Sequence, residues 1–133
     1  MDDRSSVEIY TEWDIVAARQ LGRNEAKKSG FGTVDQARIT TAISELARNI
    51  YLYAGRGRIE IESLSVNGLA GITIIASDEG PGILDVRKVM EDGYSTSGGL
   101  GAGMPGVKRL MDEFKLETEP GVGTIITATK WLR

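Results

Sequence analysis

Residues 97–110 read SGGLGAGMPGVKRL, five glycines in ten positions followed by an apolar, basic, helix-like segment. Glycine within ordered structure costs about 0.5–1 kcal/mol relative to alanine, so the run is either a slack linker or a place where the main chain approaches something closely. Its flanks bear on the fold. Gly101, Gly103 and Gly106 satisfy G-x-G-x-x-G, a pattern that in a doubly wound parallel sheet directly follows a strand. Here EDGYSTSGG precedes it, and that is no strand. A Walker A loop fails too, because Val107 separates Gly106 from Lys108 and no Ser or Thr follows the lysine. What survives is the physics common to both motifs. Free backbone N–H groups running into a helix N-terminus, with Pro105 suited to the first turn, make a phosphate cradle. Taken alone, the loop reads equally well as a flexible linker.

Outward from the loop, the hydrophobic pattern separates strands from helices. Downstream, Val107, Leu110, Met111 and Phe114 predict a helix from Pro105, and FKLETE, a PGVG turn and TIITATKWL predict a hairpin. Upstream, DEGPGI breaks the chain, and a polar, partly helical stretch runs to about Gly93. Before it, RIEIESLSV and AGITIIASD flank Asn67-Gly68, a second hairpin with a short loop. TVDQARITTAISELARNIYLYAG predicts a long helix with a capping box at Thr33 and Gln36, a stripe of Ile39, Ile43, Leu46, Ile50 and Tyr53, and a stop at Gly55. TEWDIVAARQLGRNEAKKSG predicts another, capped by Thr11 and Asp14 and ended by Gly30, after a short strand SVEIY. Strands in hairpin pairs with helices grouped between them predict an α+β fold. It is a two-layer α/β sandwich, its sheet mixed but mostly antiparallel, with helices on one face.

Composition sets the chemical limits. The 133 residues fit a single domain, 1–133, able to bury about two thirds of its unfolded surface. A formal net charge of -3 gives no bulk attraction to nucleic acid or to an anionic membrane. The absence of cysteine and histidine excludes thiol nucleophiles, a Ser-His-Asp triad, most zinc sites and a phosphohistidine relay carried in this chain. Carboxylates, amides, Lys and Arg remain for any catalysis. MDDRSSVEIY lacks an apolar signal core, so a cytoplasmic location is the expectation.

Two further places hold residues of the right chemistry. Glu45 and Asn49 are four apart on the long helix, on a polar face set roughly opposite the apolar stripe. Such pairs are commonly solvated surface. The alternative is a carboxylate acting as a base beside an amide oxygen able to ligate Mg²⁺. Asp78, Gly80 and Gly82 follow a strand directly. Most Asp-x-Gly sequences there are turns, but a carboxylate fixed at a strand end also accepts a hydrogen bond from an adenine amino group, and glycines let a flat ring lie against the main chain.

Order and spacing bring these features together. Glu-x-x-x-Asn on a helix, Asp-x-Gly-x-Gly after a strand, a glycine-rich loop entering a helix, and Gly123-Thr124 opening a late strand resemble the successive boxes of the GHKL ATPase and kinase superfamily, whose ATP-binding domain is the Bergerat fold. TEWDIVAARQLGRN, TTAISELARNIYLYAG, STSGGLGAG and GVKRLMDEF look more closely like the RsbT family, the switch kinases of the bacterial stressosome, and the likeness covers essentially the whole chain.

The resemblance implies an ATP- and Mg²⁺-dependent serine/threonine protein kinase. By position, Glu45 matches the base, Asn49 the Mg²⁺ ligand and Asp78 the adenine-binding carboxylate, with Gly80 and Gly82 beside it. Gly99, Gly101 and Gly103 match the lid around the phosphates, and Thr124 the hydroxyl near the adenine. The lid reads G-L-G-A-G-M-P where histidine kinases have G-L-G-L. Implied partners are STAS-domain stressosome proteins of the RsbS and RsbR type as substrates and, after release, a PP2C-type phosphatase of the RsbU type. Neither nucleic acid nor membrane is among them. The alternatives are an anti-sigma-factor kinase of the RsbW type and a nucleotide-dependent binding module without catalysis.

Overall fold

Strict alternation in GRIEIESLSV and an apolar run in LAGITIIASD make the first a half-buried strand and the second a central one. The computed structural model describes residues 4–84, 86–91 and 103–132. In chain order its elements are β1 (Arg4–Ile9), α1 (Glu12–Lys28), α2 (Thr33–Asn49), a π-helical turn (Ile50–Ala54), β2 (Gly57–Val66) and β3 (Leu69–Asp78). A short α3 (Val86–Val89), α4 (Gly103–Leu110), β4 (Glu113–Glu119) and β5 (Gly123–Trp131) complete it.

The five strands lie in the order β1-β2-β3-β5-β4, and every pairing is antiparallel. Asn67 and Gly68 both take positive φ, 53° and 82°, which gives the two-residue hairpin turn its twist. The β3-to-β4 connection passes over a strand position, and β5 returns into the gap beside β3. Asp78, at the end of β3, thereby faces Thr124 at the start of β5 as its cross-strand partner.

One face of the sheet carries the core. Ile59, Ile61, Ile72, Ile74, Ile126 and Ala128 meet Ile39, Ile43 and Leu46 from α2 and Ile50 from the π turn, all nearly or fully buried. Each buried isoleucine contributes about 1.5–3 kcal/mol through surface removed from water. The opposite face bears Arg4, Glu60 and Glu62, with Arg4 paired to both carboxylates at 3.1 and 3.2 Å. Exposed pairs of this kind add about 0–1 kcal/mol each.

Both ends of α1 form as its sequence predicts, whereas the start of α2 does not. Gly30, at φ 96°, ends α1 in a Schellman motif: its N–H meets Lys27 O, and the N–H of Phe31 meets Ala26 O, both at 3.1 Å. At the other end of α1 the Asp14 carboxylate accepts the N–H groups of Tyr10 and Thr11, which hold its pKa below the usual carboxylate range. The box expected at Thr33 does not form. Gly32 is the N-cap, and Gln36 sends its amide back to the carbonyl of Phe31, 2.7 Å away, because buried Phe31 pins the loop one residue earlier.

The apolar stripe of α2 also stops short. At Ile50 the helix widens into the π turn, so Tyr53 rotates outward to 43% exposure. Phe114, expected on the last helix, lies in β4. That helix stops earlier because Lys130 Nζ donates to Leu110 O at 3.0 Å. The Asp112 N–H meets Thr129 O at 2.8 Å, so the chain is already pairing with β5.

Candidate functional site

The end of β3 is where backbone crowds backbone. The Asp78 carboxylate accepts the Gly80 N–H at 2.9 Å, folding the chain back on itself within two residues. A Cβ on Gly80 would stand 2.6 Å from that of Ala54 in the π turn. One on Gly82, at φ 75°, would stand 2.5 Å from Glu119 O, and one on Gly123, at φ 150°, 2.1 Å from Asp78 O. Three glycines therefore let the segment after β3 lie between the π turn and the β4–β5 hairpin. The N–H of Gly121 on that hairpin fastens it by bonding Pro81 O at 2.8 Å.

Alternation along β3 and β5 puts Asp78 and Thr124 on the helix-facing side of the sheet, adjacent and at its end. Asp78 is partly exposed and Thr124 6% exposed. The Thr124 hydroxyl lies 2.9 Å from that of Thr118, its cross-strand partner on β4. Thr118 also donates to Gly123 O at 3.1 Å and accepts the Ile83 N–H at 2.9 Å. Sequence reasoning passed over Thr118. A threonine at an alternating strand position carries no signal of its own, and its importance depends on a register and on a loop far away in the chain.

Asn49 meets α4, and Glu45 lies one turn before it on the same side of α2. The polar face was expected to be set opposite the core; instead Glu45 is 7% exposed and Asn49 half-buried. α4, whose Met104, Pro105, Gly106 and Val107 are all buried, packs against the same helix. Asn49 Nδ2 points at Met104 Sδ, 3.8 Å away. Its amide oxygen, a hard donor, is thereby turned to the other side. Among the described residues no wholly buried side-chain oxygen lacks a hydrogen bond, so the Glu45 carboxylate keeps contact with solvent.

Gly103, with φ 66°, opens α4 one residue before Met104. The structure thus brings the N-terminus of the helix after the glycine loop against the Asn49 end of α2. Gly99 and Gly101, the other two lid glycines expected from the sequence, lie outside the described residues. No group of three or more acidic side chains that would hold a metal ion occurs among the described residues. Mg²⁺ keeps its waters and takes one or two protein oxygens together with substrate phosphates, so the Asn49 amide oxygen, turned away from Met104, would be donor enough for it. No described helix is long and apolar enough to cross a membrane.

Comparison with known proteins gives this geometry a context. Residues 34–133 match the family model described as histidine kinase-, DNA gyrase B-, and HSP90-like ATPase. The serine/threonine-protein kinase RsbT of Bacillus subtilis (strain 168) is 74% identical over 133 residues, the whole of both chains. An anti-sigma F factor of Caldanaerobacter subterraneus subsp. tengcongensis is 36% identical over 100 residues, 72% of this chain and 70% of that one. Among solved structures, the nucleotide-free catalytic domain of the histidine kinase ThkA shares the fold at TM-score 0.53 and 17% identity, covering 95% of each chain. This chain belongs to the histidine kinase-, DNA gyrase B- and HSP90-like ATPases and, within them, to the serine/threonine-protein kinases of the RsbT type.

Proposed function

We propose that this kinase binds Mg-ATP between α2, the end of β3 and the N-terminus of α4, and phosphorylates Ser or Thr on STAS-domain stressosome proteins of the RsbS and RsbR type. After release it activates a PP2C-type phosphatase of the RsbU type, in the cytoplasm. The observation that carries the reading is the burial of Glu45 one turn from Asn49, whose side chain meets the helix that the glycine loop enters. Full-length identity to RsbT supports the choice of partners over an anti-sigma role, since the anti-sigma F factors match only about three quarters of the chain.

In this reading each residue has a separate task. Asp78 accepts the adenine amino group with the oxygen not committed to Gly80, and Gly80 and Gly82 keep the main chain flat enough for the ring. Thr124 adds a hydroxyl at the same edge. Gly103, with Gly99 and Gly101, offers N–H groups to the phosphates. Asn49 and its amide oxygen would hold Mg²⁺, whose contribution is to neutralise charge on the phosphates. Glu45 orients the acceptor hydroxyl and takes its proton as the new O–P bond forms and the bond to ADP breaks. Incubating the protein with Mg²⁺ and labelled ATP beside purified STAS proteins tests the activity. No label on any Ser or Thr, with ATP still bound, would reduce the chain to a binding module.

Two substitutions separate the tasks. Asp78→Asn removes the charge and can turn an NH₂ toward the adenine amino group. ATP affinity should fall at least tenfold, about 1.4 kcal/mol. Calorimetry on a folded variant reads this directly, and unchanged affinity would take Asp78 out of the base site. Asn49→Ala should weaken only the Mg²⁺-dependent part of binding. An equal drop in EDTA and in Mg²⁺ would mean that Asn49 is no ligand.

A further inference from the structure

We infer that Thr118 is a positioning residue that sets base specificity, by holding the Thr124 hydroxyl as an acceptor toward the nucleotide. The inference rests on the reading of Asp78 and Thr124 as the base site. A threonine hydroxyl has one hydrogen and two lone pairs. Thr118 Oγ1 has three partners within 3.1 Å: Gly123 O, which can only accept, the Ile83 N–H, which can only donate, and the Thr124 hydroxyl. The one arrangement that satisfies all three spends the Thr118 hydrogen on Gly123 O. Its lone pairs then take Ile83 N–H and the Thr124 hydrogen. Thr118 is thereby saturated, and Thr124 retains only lone pairs for its open side.

Its neighbour across the strands is Asp78, an acceptor whose Oδ1 already receives the Gly80 N–H. The two side chains at this edge, Asp78 and Thr124, therefore present acceptors alone. At position 6 a 6-aminopurine offers two N–H donors to that edge, whereas a 6-oxopurine offers only a lone-pair oxygen there, its N–H donor having moved to N1. Buried polar groups left facing their own kind are what make such sites reject the wrong analogue. Without the Thr118 hydroxyl, the Thr124 O–H is free to rotate outward and donate to a 6-oxo group.

The test compares ATP with ITP, which carries oxygen in place of the 6-amino group, by calorimetry on the full chain. The unaltered protein should prefer ATP by at least about a hundredfold. Thr118→Val should lower that preference about tenfold or more by gaining affinity for ITP relative to ATP, and Thr118→Ser, which keeps the hydroxyl, should retain it. Thr118→Ala serves the same purpose if the valine variant does not fold. A purely structural role would weaken both nucleotides equally and leave the ratio unchanged, which would overturn the inference. Thr124→Val and Asp78→Asn separate the two levels of the argument. If they abolish the preference while Thr118→Val leaves it intact, the base site stands and Thr118 has no part in it. If Thr118→Val, Thr124→Val and Asp78→Asn all leave it unaltered, or the unaltered protein shows no preference, the base-site reading falls and the inference with it.

Discussion

Glu45→Ala should leave ATP bound and reduce phosphotransfer by roughly 10² to 10⁴, the range associated with a general base. The two effects separate because Glu45 lies on α2, whereas the proposed base site is built from β3 and β5. Glu45 is nearly buried, so truncation to alanine also opens a cavity; Glu45→Gln keeps the volume and removes the basicity. Both variants should bind ATP like the parent protein and fail in transfer to a STAS partner, measured under single turnover. A loss below tenfold in the glutamine variant would mean that transfer relies on positioning and Mg²⁺, as phosphoryl transfer can.

The second large effect concerns release. A phosphoserine or phosphothreonine brings a charge of about -1.5 to -2 at neutral pH, and placed against a carboxylate it is repelled and poorly solvated. Glu45 faces the partner's hydroxyl in the proposed complex, so docking that is favourable before transfer becomes unfavourable after it. Turning a mostly bound population into a mostly free one needs a differential of several kcal/mol. The phosphorylated STAS partner should therefore bind at least about a hundredfold more weakly than the unmodified one, with much of that difference lost in Glu45→Ala. Equal affinities for the two forms, measured with purified partner, would leave a kinase without a release switch.

How far the sequence could be read depended on whether the cause was local. The β2–β3 hairpin was legible because Asn67 and Gly68 force their own turn and the flanking alternation has period two. The Gly30 stop was legible for the same reason. Tyr53 was misplaced because the stripe was projected on a 3.6-residue period that the π turn abandons at Ile50. Phe114 was misplaced because it continues the helical spacing of Val107 and Leu110, while strand pairing with β5 claims it. The burial of Glu45 is a tertiary event with no trace in the helix's own periodicity. Motif order could identify Glu45, Asn49, Asp78 and Thr124 as candidates, but not Thr118, whose three contacts converge only once β4, β5 and the segment after β3 are assembled.

The crowding at the end of β3 changes what invariance would mean there. A side chain at position 80 would meet Ala54 at both its Cβ, 2.6 Å away, and its Cα, 2.9 Å away. Shrinking residue 54 to glycine would remove only the first of these, so no compensating substitution at that position restores the space. Positions 82 and 123 face main-chain oxygens, which no substitution can trim. Selection would hold glycine at all three even in a descendant that had ceased to bind nucleotide. Their persistence in a lineage would record an ancestral backbone, and loss of activity would be read from drift at Glu45 and Asn49 instead.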